Sequence, residues 1–281
     1  MVIYTSNMAE DLIKIKYEKL VSIITTYKSA LIAFSGGVDS SYLAYVSHKL
    51  LGDSMLAVTV DAPWIPRREI REASDVAAGL HIPHKIIKTE FLPENDFFEN
   101  PSNRCYICKT GIFTQLKRTA DEEGLQHIFE GTNADDAGVY RPGLKALEEL
   151  NIVSPLKEAG LTKDDIRTLS RKAGLPTADK PAYACLASRF PYETKLTIEG
   201  FRRVEQAEDF LFTLGFNGLR VRDHFPIARI EIPAKMIDGL LDAKIRADIV
   251  NTLKSLGYGF VTLDLEGYRS GCFDDQKLRK E

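Results

Sequence analysis

No apolar run in this sequence reaches the ~18 residues that a membrane helix needs, which excludes a helical span from the reading. Residues 1–10 lack a basic segment followed by an apolar one. No secretory signal is read there, and a cytoplasmic location is the expectation. Charge of one sign is missing too. The 37 Lys and Arg stand against 40 Asp and Glu, a net charge of −3. A broad basic field for nucleic acid is thereby excluded, and only a local patch stays open. Histidine is scarce: His48, His81, His84, His127 and His224 show no ligand spacing with the cysteines, and none is assigned a role. The cysteines number 4, and in a reducing compartment they are not expected to form structural disulfides. Internal repeats and low-complexity tracts are absent. What is there, 281 residues with 44% hydrophobic and 27% charged, is the composition of a soluble globular protein of one large domain or two modest ones.

Strand-like and helix-like patterns alternate along the first two thirds of the chain. Asp11 to Tyr27 reads as an amphipathic helix with Leu12, Ile15, Leu20, Ile23 and Ile24 apolar. Ala30 to Phe34 and Met55 to Val60 read as buried strands, with shorter ones at Lys85 to Lys88, His127 to Glu130 and Asn151 to Ser154. Helices are expected at 42–51, 67–80, 109–123 and 162–173, the last with Thr162 as N-cap. Residues 91–104 read as a loop. The alternation predicts an α/β fold with a doubly wound parallel sheet over 1–190. After Pro191 the order becomes α-β-β-α-β, with helices at Ile198 to Leu214 and Ala234 to Leu256. A separate small C-terminal α+β domain is expected over 191–281.

Ligands of doubly wound sheets bind beyond the carboxyl ends of the strands. Three segments sit at such ends and should converge: Ser35-Gly36-Gly37-Val38-Asp39-Ser40-Ser41, Thr59-Val60-Asp61 and Gly131-Thr132-Asn133. In the first, two glycines allow a tight bend and close ligand approach. The N–H groups at the start of the next helix then face an anion, helped by serine hydroxyls. No lysine follows the glycines, so this is not the GxxxxGK[ST] loop.

Cys105 and Cys108 form a Cys-x-x-Cys pair, open to a zinc, redox or iron–sulfur reading. A second such pair, which the commonest zinc pattern needs, is missing. The next cysteine is Cys185. Three thiolates can hold a [4Fe–4S] cluster and leave one iron open for an extra, transferable sulfide. Alternatively one cysteine acts directly, as a persulfide or sacrificial donor, or all three are simply buried. Cys272 has no reason to join them. Arg220 and Arg222 share one strand face, with Val221 on the other, and two guanidiniums on one face suit a phosphate. Trp64 and Tyr183 can stack on a ring or pack in a core.

The string Ser35–Ser41 resembles the SGGxDS loop of the PP-loop ATP pyrophosphatases. Together with Asn103-Arg104-Cys105-Tyr106 and Cys108-Lys109, Glu130-Gly131-Thr132-Asn133-Ala134-Asp135-Asp136 and Cys185-Leu186-Ala187-Ser188-Arg189-Phe190-Pro191, it makes the whole chain resemble the LarE-type sulfur transferases. That resemblance implies the adenine nucleotide alpha hydrolase-like fold. It implies adenylation by ATP of a carboxylate on a pyridinium dicarboxylate mononucleotide, with loss of pyrophosphate. Sulfur then displaces AMP to leave a thiocarboxylate, a step of nickel-pincer nucleotide cofactor biosynthesis.

The implied roles follow the matched residues. Ser35, Gly36, Gly37, Asp39, Ser40 and Ser41 hold the pyrophosphate end of ATP, with Asp39 the partner of Mg²⁺, a cation that prefers oxygen ligands. Thr59, Gly131 and Thr132 flank the adenosine. Asp135 serves magnesium or the ribose, or caps a helix. Cys105, Cys108 and Cys185 deliver sulfur and hold a [4Fe–4S] cluster. Glu208 and Glu231 match acidic positions near the family site, or lie on a solvated helix face and a surface strand. Arg189, Arg220, Arg222 and Arg269 are candidates for the substrate phosphate. Some family members carry only the cysteine corresponding to Cys185 and consume its sulfur; this chain departs from them in having Cys105 and Cys108. The family suggests a homo-oligomer, a small nucleotide substrate, contact with other cofactor-biosynthesis proteins, and neither nucleic acid nor membrane.

Other readings stay open. A PP-loop tRNA thiolase can combine the same loop with three cysteines, but it needs a basic RNA surface. An ammonia-using synthetase leaves the three cysteines unexplained. An iron–sulfur carrier would keep the nucleotide fold only for regulation.

Overall fold

A computed structural model describes residues 2–90, 95–136, 142–181 and 184–269. Tyr183 and Cys272 lie outside them. The chain divides into two compact units. One comprises Met1–Ala62, Arg67–Phe91 and Cys105–Tyr183; the other comprises Pro63–Pro66, Leu92–Arg104 and Ala184–Glu281.

The first unit runs α1 (Val2–Thr25), β1 (Ala30–Ala33), α2 (Val38–Leu51), β2 (Met55–Asp61), α3 (Arg67–Gly79), β3 (His84–Lys88), α4 (Arg104–Glu122), β4 (His127–Phe129), α5 (Pro142–Glu149), α6 (Pro155–Glu158) and α7 (Lys163–Lys172). Its sheet is wholly parallel in the order β3-β2-β1-β4. Parallel strands covered on both faces need apolar residues at every position. Ala30, Leu31 and Ile32 of β1 are accordingly all buried. Ala30, Ile32 and Ala57 pack in one cluster with Leu20 and Ile24 of α1, Leu43 of α2, Ala73 of α3 and Ile166 of α7. Leu31, Val58 and Val60 pack on the other face with Phe113 and Leu116 of α4 and Leu147 of α5. Each such leucine or phenylalanine contributes about 1.5–3 kcal/mol by leaving water. The expected doubly wound parallel sheet is therefore present.

Some local expectations differ. The first helix begins at Val2 rather than Asp11, and Leu12 and Ile15 of its apolar stripe stand exposed. Asn151 to Ser154 makes only one isolated parallel bridge, Phe129 to Val153. α4 begins at Arg104, five residues before the expected Lys109, so Cys105 and Cys108 are its second and fifth residues. α7 is as expected: Thr162 caps it, and Asp165 answers from N3 to complete a capping box.

The second unit holds α8 (Ile198–Thr213), β5 (Arg220–His224), β6 (Ile227–Glu231), α9 (Ala243–Ser255) and β7 (Phe260–Leu263). β5 and β6 pair antiparallel, and β7 joins β6 in parallel. Ala207 and Leu211 of α8 pack on Val221, Ala228 and Ile230 of the sheet and on Ile249 and Leu253 of α9. Trp64 is buried against Phe97, Phe98 and Phe201, which settles it as a core residue of this unit. The single helix expected over Ala234 to Leu256 is broken. A 3-10 stretch covers Ala234–Leu241, and Asp242 turns extended at φ −56° and ψ 130°. Its carboxylate accepts the N–H groups of Lys244 and Ile245, so the aspartate caps a new helix where periodicity alone runs on. Among the described residues no helix is long and apolar enough to cross a membrane.

Asp242→Ala removes that cap and should cost about 1 kcal/mol of local stability. Amide exchange at residues 244–246 should quicken about fivefold; unchanged exchange would show that the cap does not hold α9.

Candidate functional sites

In the first unit the strand order places β1 between β2 and β4. The chain leaves β1 toward β2 and β3, then returns to the opposite side of β1. That reversal opens a crevice at the carboxyl ends of β1 and β4. The loop 35–41 leaves one strand there and the loop 130–136 leaves the other. Gly131 records how closely they meet: a Cβ on it would lie 3.1 Å from the Ser40 nitrogen and 3.3 Å from the Asp39 Cβ. Gly36 is equally constrained. Its φ is +66°, and a Cβ would lie 2.7 Å from the Ala73 Cα on α3.

The serines organise the loop. Ser40 Oγ accepts the Ser35 N–H at 3.2 Å and lies 3.0 Å from Ser35 Oγ. Gly37 stands at the N-cap of α2 with no side-chain cap bond. The helix N-terminus therefore keeps its anion-binding character. Of the buried side-chain polar atoms in this loop, Ser41 Oγ and Asp39 Oδ1 have no hydrogen-bond partner. An unpartnered carboxylate oxygen beside an anion loop suits Mg²⁺, which takes carboxylate and phosphate oxygens together. The other oxygen, Oδ2, accepts from Lys163 Nζ at 2.6 Å. Burial pushes the Asp39 carboxyl above its ordinary range, and the Lys163 hydrogen bond and charge oppose it.

Sequence reading missed two lysines. Lys163 opens α7 and reaches Asp39 from 124 residues away. Lys180 donates to the Gly36 carbonyl at 3.2 Å and pairs with Glu69 and Glu72. Burial works against its charge, but the two carboxylates hold its pKa above normal. The loop string carries no lysine, yet the fold brings two to it. No local pattern announces them, because each comes from a remote segment.

The expected adenosine residues divide. Glu130 is buried and accepts both the N–H and the hydroxyl of Thr132, at 3.0 and 2.8 Å, which fixes the 130–132 turn. Asp135 accepts the Lys163 N–H at 2.8 Å, so its carboxylate serves the start of α7. The Thr59 hydroxyl is turned into the sheet, donating to the Phe34 carbonyl at 2.7 Å and lying 2.8 Å from His84 Nε2. Cys105 and Cys108 are three apart on α4, hence on one face, and neither is in a disulfide.

The second unit carries Cys185, which is outside any disulfide and partly exposed. It precedes the 3-10 turn Leu186–Arg189. Arg189 Nη1 donates to the carbonyls of Ala184 and Cys185 at 2.6 and 3.0 Å, and its Nε and Nη2 fork onto both oxygens of Glu208. Glu208 Oε1 also accepts the Val221 N–H of β5 at 2.9 Å. Arg222 donates Nη1 to the Ser188 carbonyl at 2.7 Å and pairs with Glu231. Arg220 lies over the Tyr268 ring. Burial and the Arg189 guanidinium both push its pKa down. Glu208 and Glu231 are 3% and 1% exposed, so neither lies on a solvated face. Arg269 is elsewhere, in an exposed pair with Glu266. Among the described residues no group of three or more His, Cys, Asp and Glu is gathered to hold a metal ion.

The parallel sheet, its crevice and the glycine loop define a PP-loop α/β protein. The chain is 39% identical over 256 residues to an uncharacterized protein of Synechocystis sp., spanning 91% of this chain and 96% of that one. It is 35% identical over 262 residues to the pyridinium-3,5-bisthiocarboxylic acid mononucleotide synthase of Lactiplantibacillus plantarum, spanning 92% and 94%. With those spans it belongs to the LarE family of that synthase. One of the polypeptides of the glutamine-hydrolyzing GMP synthase of Archaeoglobus fulgidus is 27% identical over 157 residues, about half of each chain. No family model matches.

Asp39 titrates higher in the folded chain than in the unfolded one. Between those two values the folded state holds the extra proton, and stability falls as pH rises through that window. Lys163→Met removes the opposing ammonium, so the Asp39 pKa should rise further and the window should extend upward. Carboxylate carbon NMR reads this directly; an unmoved titration would refute the pairing. Gly36→Ala should cost at least about 1–2 kcal/mol for a left-handed alanine, before the Ala73 contact, read as a lowered thermal midpoint.

Proposed function

We propose that this chain is an ATP-dependent sulfur transferase of nickel-pincer nucleotide biosynthesis. It acts on a pyridinium dicarboxylate mononucleotide. The observation that carries the reading is the part-exposed thiol of Cys185 on a turn gripped by buried arginines, in a chain so alike to a pyridinium bisthiocarboxylic acid mononucleotide synthase. A substrate carboxylate oxygen attacks the α-phosphorus of ATP, and the α–β bridging oxygen leaves with pyrophosphate. A sulfur nucleophile then adds to the acyl carbon. AMP departs with the former carboxylate oxygen, and a thiocarboxylate remains.

The chain's own residues serve this chemistry in distinct ways. The N–H groups of the 35–41 loop and the start of α2 bind phosphate oxygens. Lys163 and Lys180 supply the positive charge that the loop string lacks. Asp39 Oδ1 is suited to hold Mg²⁺, which when bound neutralises the departing pyrophosphate. Gly131 and Thr132, on the turn held by Glu130, would flank the adenosine. Arg220 carries a charge that burial and Arg189 both disfavour, and a substrate phosphate beside it would offset them.

Cys105, Cys108 and Cys185 would hold a [4Fe–4S] cluster. Two of these cysteines share one helical face and none of the three is in a disulfide, which supports the reading. Such a cluster, when bound, supplies an extra sulfide on its open iron. The family likeness also argues for a homo-oligomer that works beside other proteins of cofactor biosynthesis.

Anaerobically reconstituted protein given ATP, Mg²⁺ and the pyridinium substrate should release pyrophosphate; no release would overturn the enzyme reading. Cys185→Ala should keep that release and lose thiocarboxylate formation. Iron and sulfide analysis of anaerobically purified protein should give about four irons per chain, whereas stoichiometric zinc would refute the cluster.

A further inference from the structure

The geometry points to Arg189 and Glu208 as positioning residues for the Cys185 turn, not as ligands of the substrate phosphate or a proton-transferring base. The inference rests on the sulfur-transfer reading for its function but on geometry for its residues. All three nitrogens of the Arg189 guanidinium are already engaged. Nε and Nη2 hold Glu208 at 2.9 and 2.8 Å. Nη1 is shared among the Ala184 carbonyl, the Cys185 carbonyl and Ser188 Oγ at 2.6, 3.0 and 3.0 Å. The side chain is 1% exposed. A phosphate could reach it only by displacing bonds that define the turn.

Glu208 is likewise committed. Its Oε1 accepts from Arg189 Nε and from the Val221 N–H, and its Oε2 from Arg189 Nη2. The pair thus runs from a β5 amide, through a carboxylate and a guanidinium, to the two carbonyls that bracket Cys185. A carboxylate fixed in this way does not leave its guanidinium to take a proton. Leu186 N donates to the Trp64 carbonyl and Ser188 N to the Cys185 carbonyl, so the turn's amides report on its integrity. Arg222 grips the far side of the same turn at the Ser188 carbonyl, with Glu231 as its counter-charge. A planar guanidinium can satisfy a carboxylate fork and two carbonyls at once; an ammonium cannot. The device holds the sulfur in one place with no bond to the sulfur itself.

Arg189→Lys keeps the charge and loses the fork. In that variant the Leu186 and Ser188 amides should exchange with deuterium about tenfold faster or more, as loss of charge-assisted hydrogen bonds implies, with the amides of β6 and β7, which do not touch Glu208, unchanged. Glu208→Gln should loosen the same amides. Sulfur transfer by Arg189→Lys should lose kcat about tenfold or more with KM for ATP and for the pyridinium nucleotide unchanged and pyrophosphate release retained. Unchanged exchange at 186 and 188 would overturn the inference. So would a raised KM for the nucleotide with kcat kept, which would make Arg189 a phosphate ligand. If neither single variant folds, Arg189→Met with Glu208→Leu removes both charges together and preserves packing; it must show the same loosened turn. The exchange arm needs no turnover. A wild-type protein that transfers no sulfur but shows the loosened variants would refute the function and leave the positioning intact.

Discussion

The first unit depends on one close approach, that of Gly131 to the backbone and Cβ of Asp39 and Ser40. Two loops can meet at such a distance only if the strands that launch them are neighbours and parallel, and only if one of them carries no side chain at the meeting point. The strand order β3-β2-β1-β4 supplies the first condition and glycine the second. Once the loops meet, the start of α2 and the polar side chains of both loops are brought together. Other features then follow: Thr132 is pinned by Glu130, Asp135 ties the loop to α7, and α7 in turn presents Lys163 to Asp39. The site is a chain of contacts, each of which presupposes the one before it.

The second unit works under a different constraint. It buries arginines and glutamates together, and a buried ion pair roughly breaks even against its own desolvation. Such pairs are therefore poor devices for adding stability and good devices for fixing geometry when every donor and acceptor is used. Arg189–Glu208 and Arg222–Glu231 are of that kind, because each guanidinium also holds backbone carbonyls of the 184–188 segment. The low dielectric around them sharpens the directionality of those bonds. Arg220 differs: it donates to the carbonyl of Leu219, its own chain neighbour, and its face rests on Tyr268.

Much of this was legible in the sequence where a physical period or a local motif carried it. The β1 and β2 runs are uninterrupted because both sheet faces are covered, and Thr162 announces α7 by its capping chemistry. The loop 35–41 declares its own glycines and serines. Features set by remote pairing were not legible. Nothing near Lys163 or Lys180 marks them as neighbours of the loop, and nothing near Glu208 shows that an arginine nineteen residues earlier will bury it. The Asp242 break is hidden because the apolar period continues across it and the aspartate looks like an ordinary polar face position. Thr59 sits at the expected strand end, but a hydroxyl's direction depends on its neighbours, here Phe34 and His84.

Trp64 has a consequence for how the chain is made. It lies on a four-residue excursion, Pro63–Pro66, between β2 and α3, and it packs with Phe97, Phe98 and Phe201 in the second unit. During synthesis the first three of these aromatics emerge long before Phe201. The contact of Trp64 with Phe201 spans a long stretch of sequence, and contacts of that kind slow folding. A nascent or truncated chain ending before α8 lacks the Phe201 ring that packs on Trp64, and apolar surface left open in this way is what chaperones bind and what aggregates.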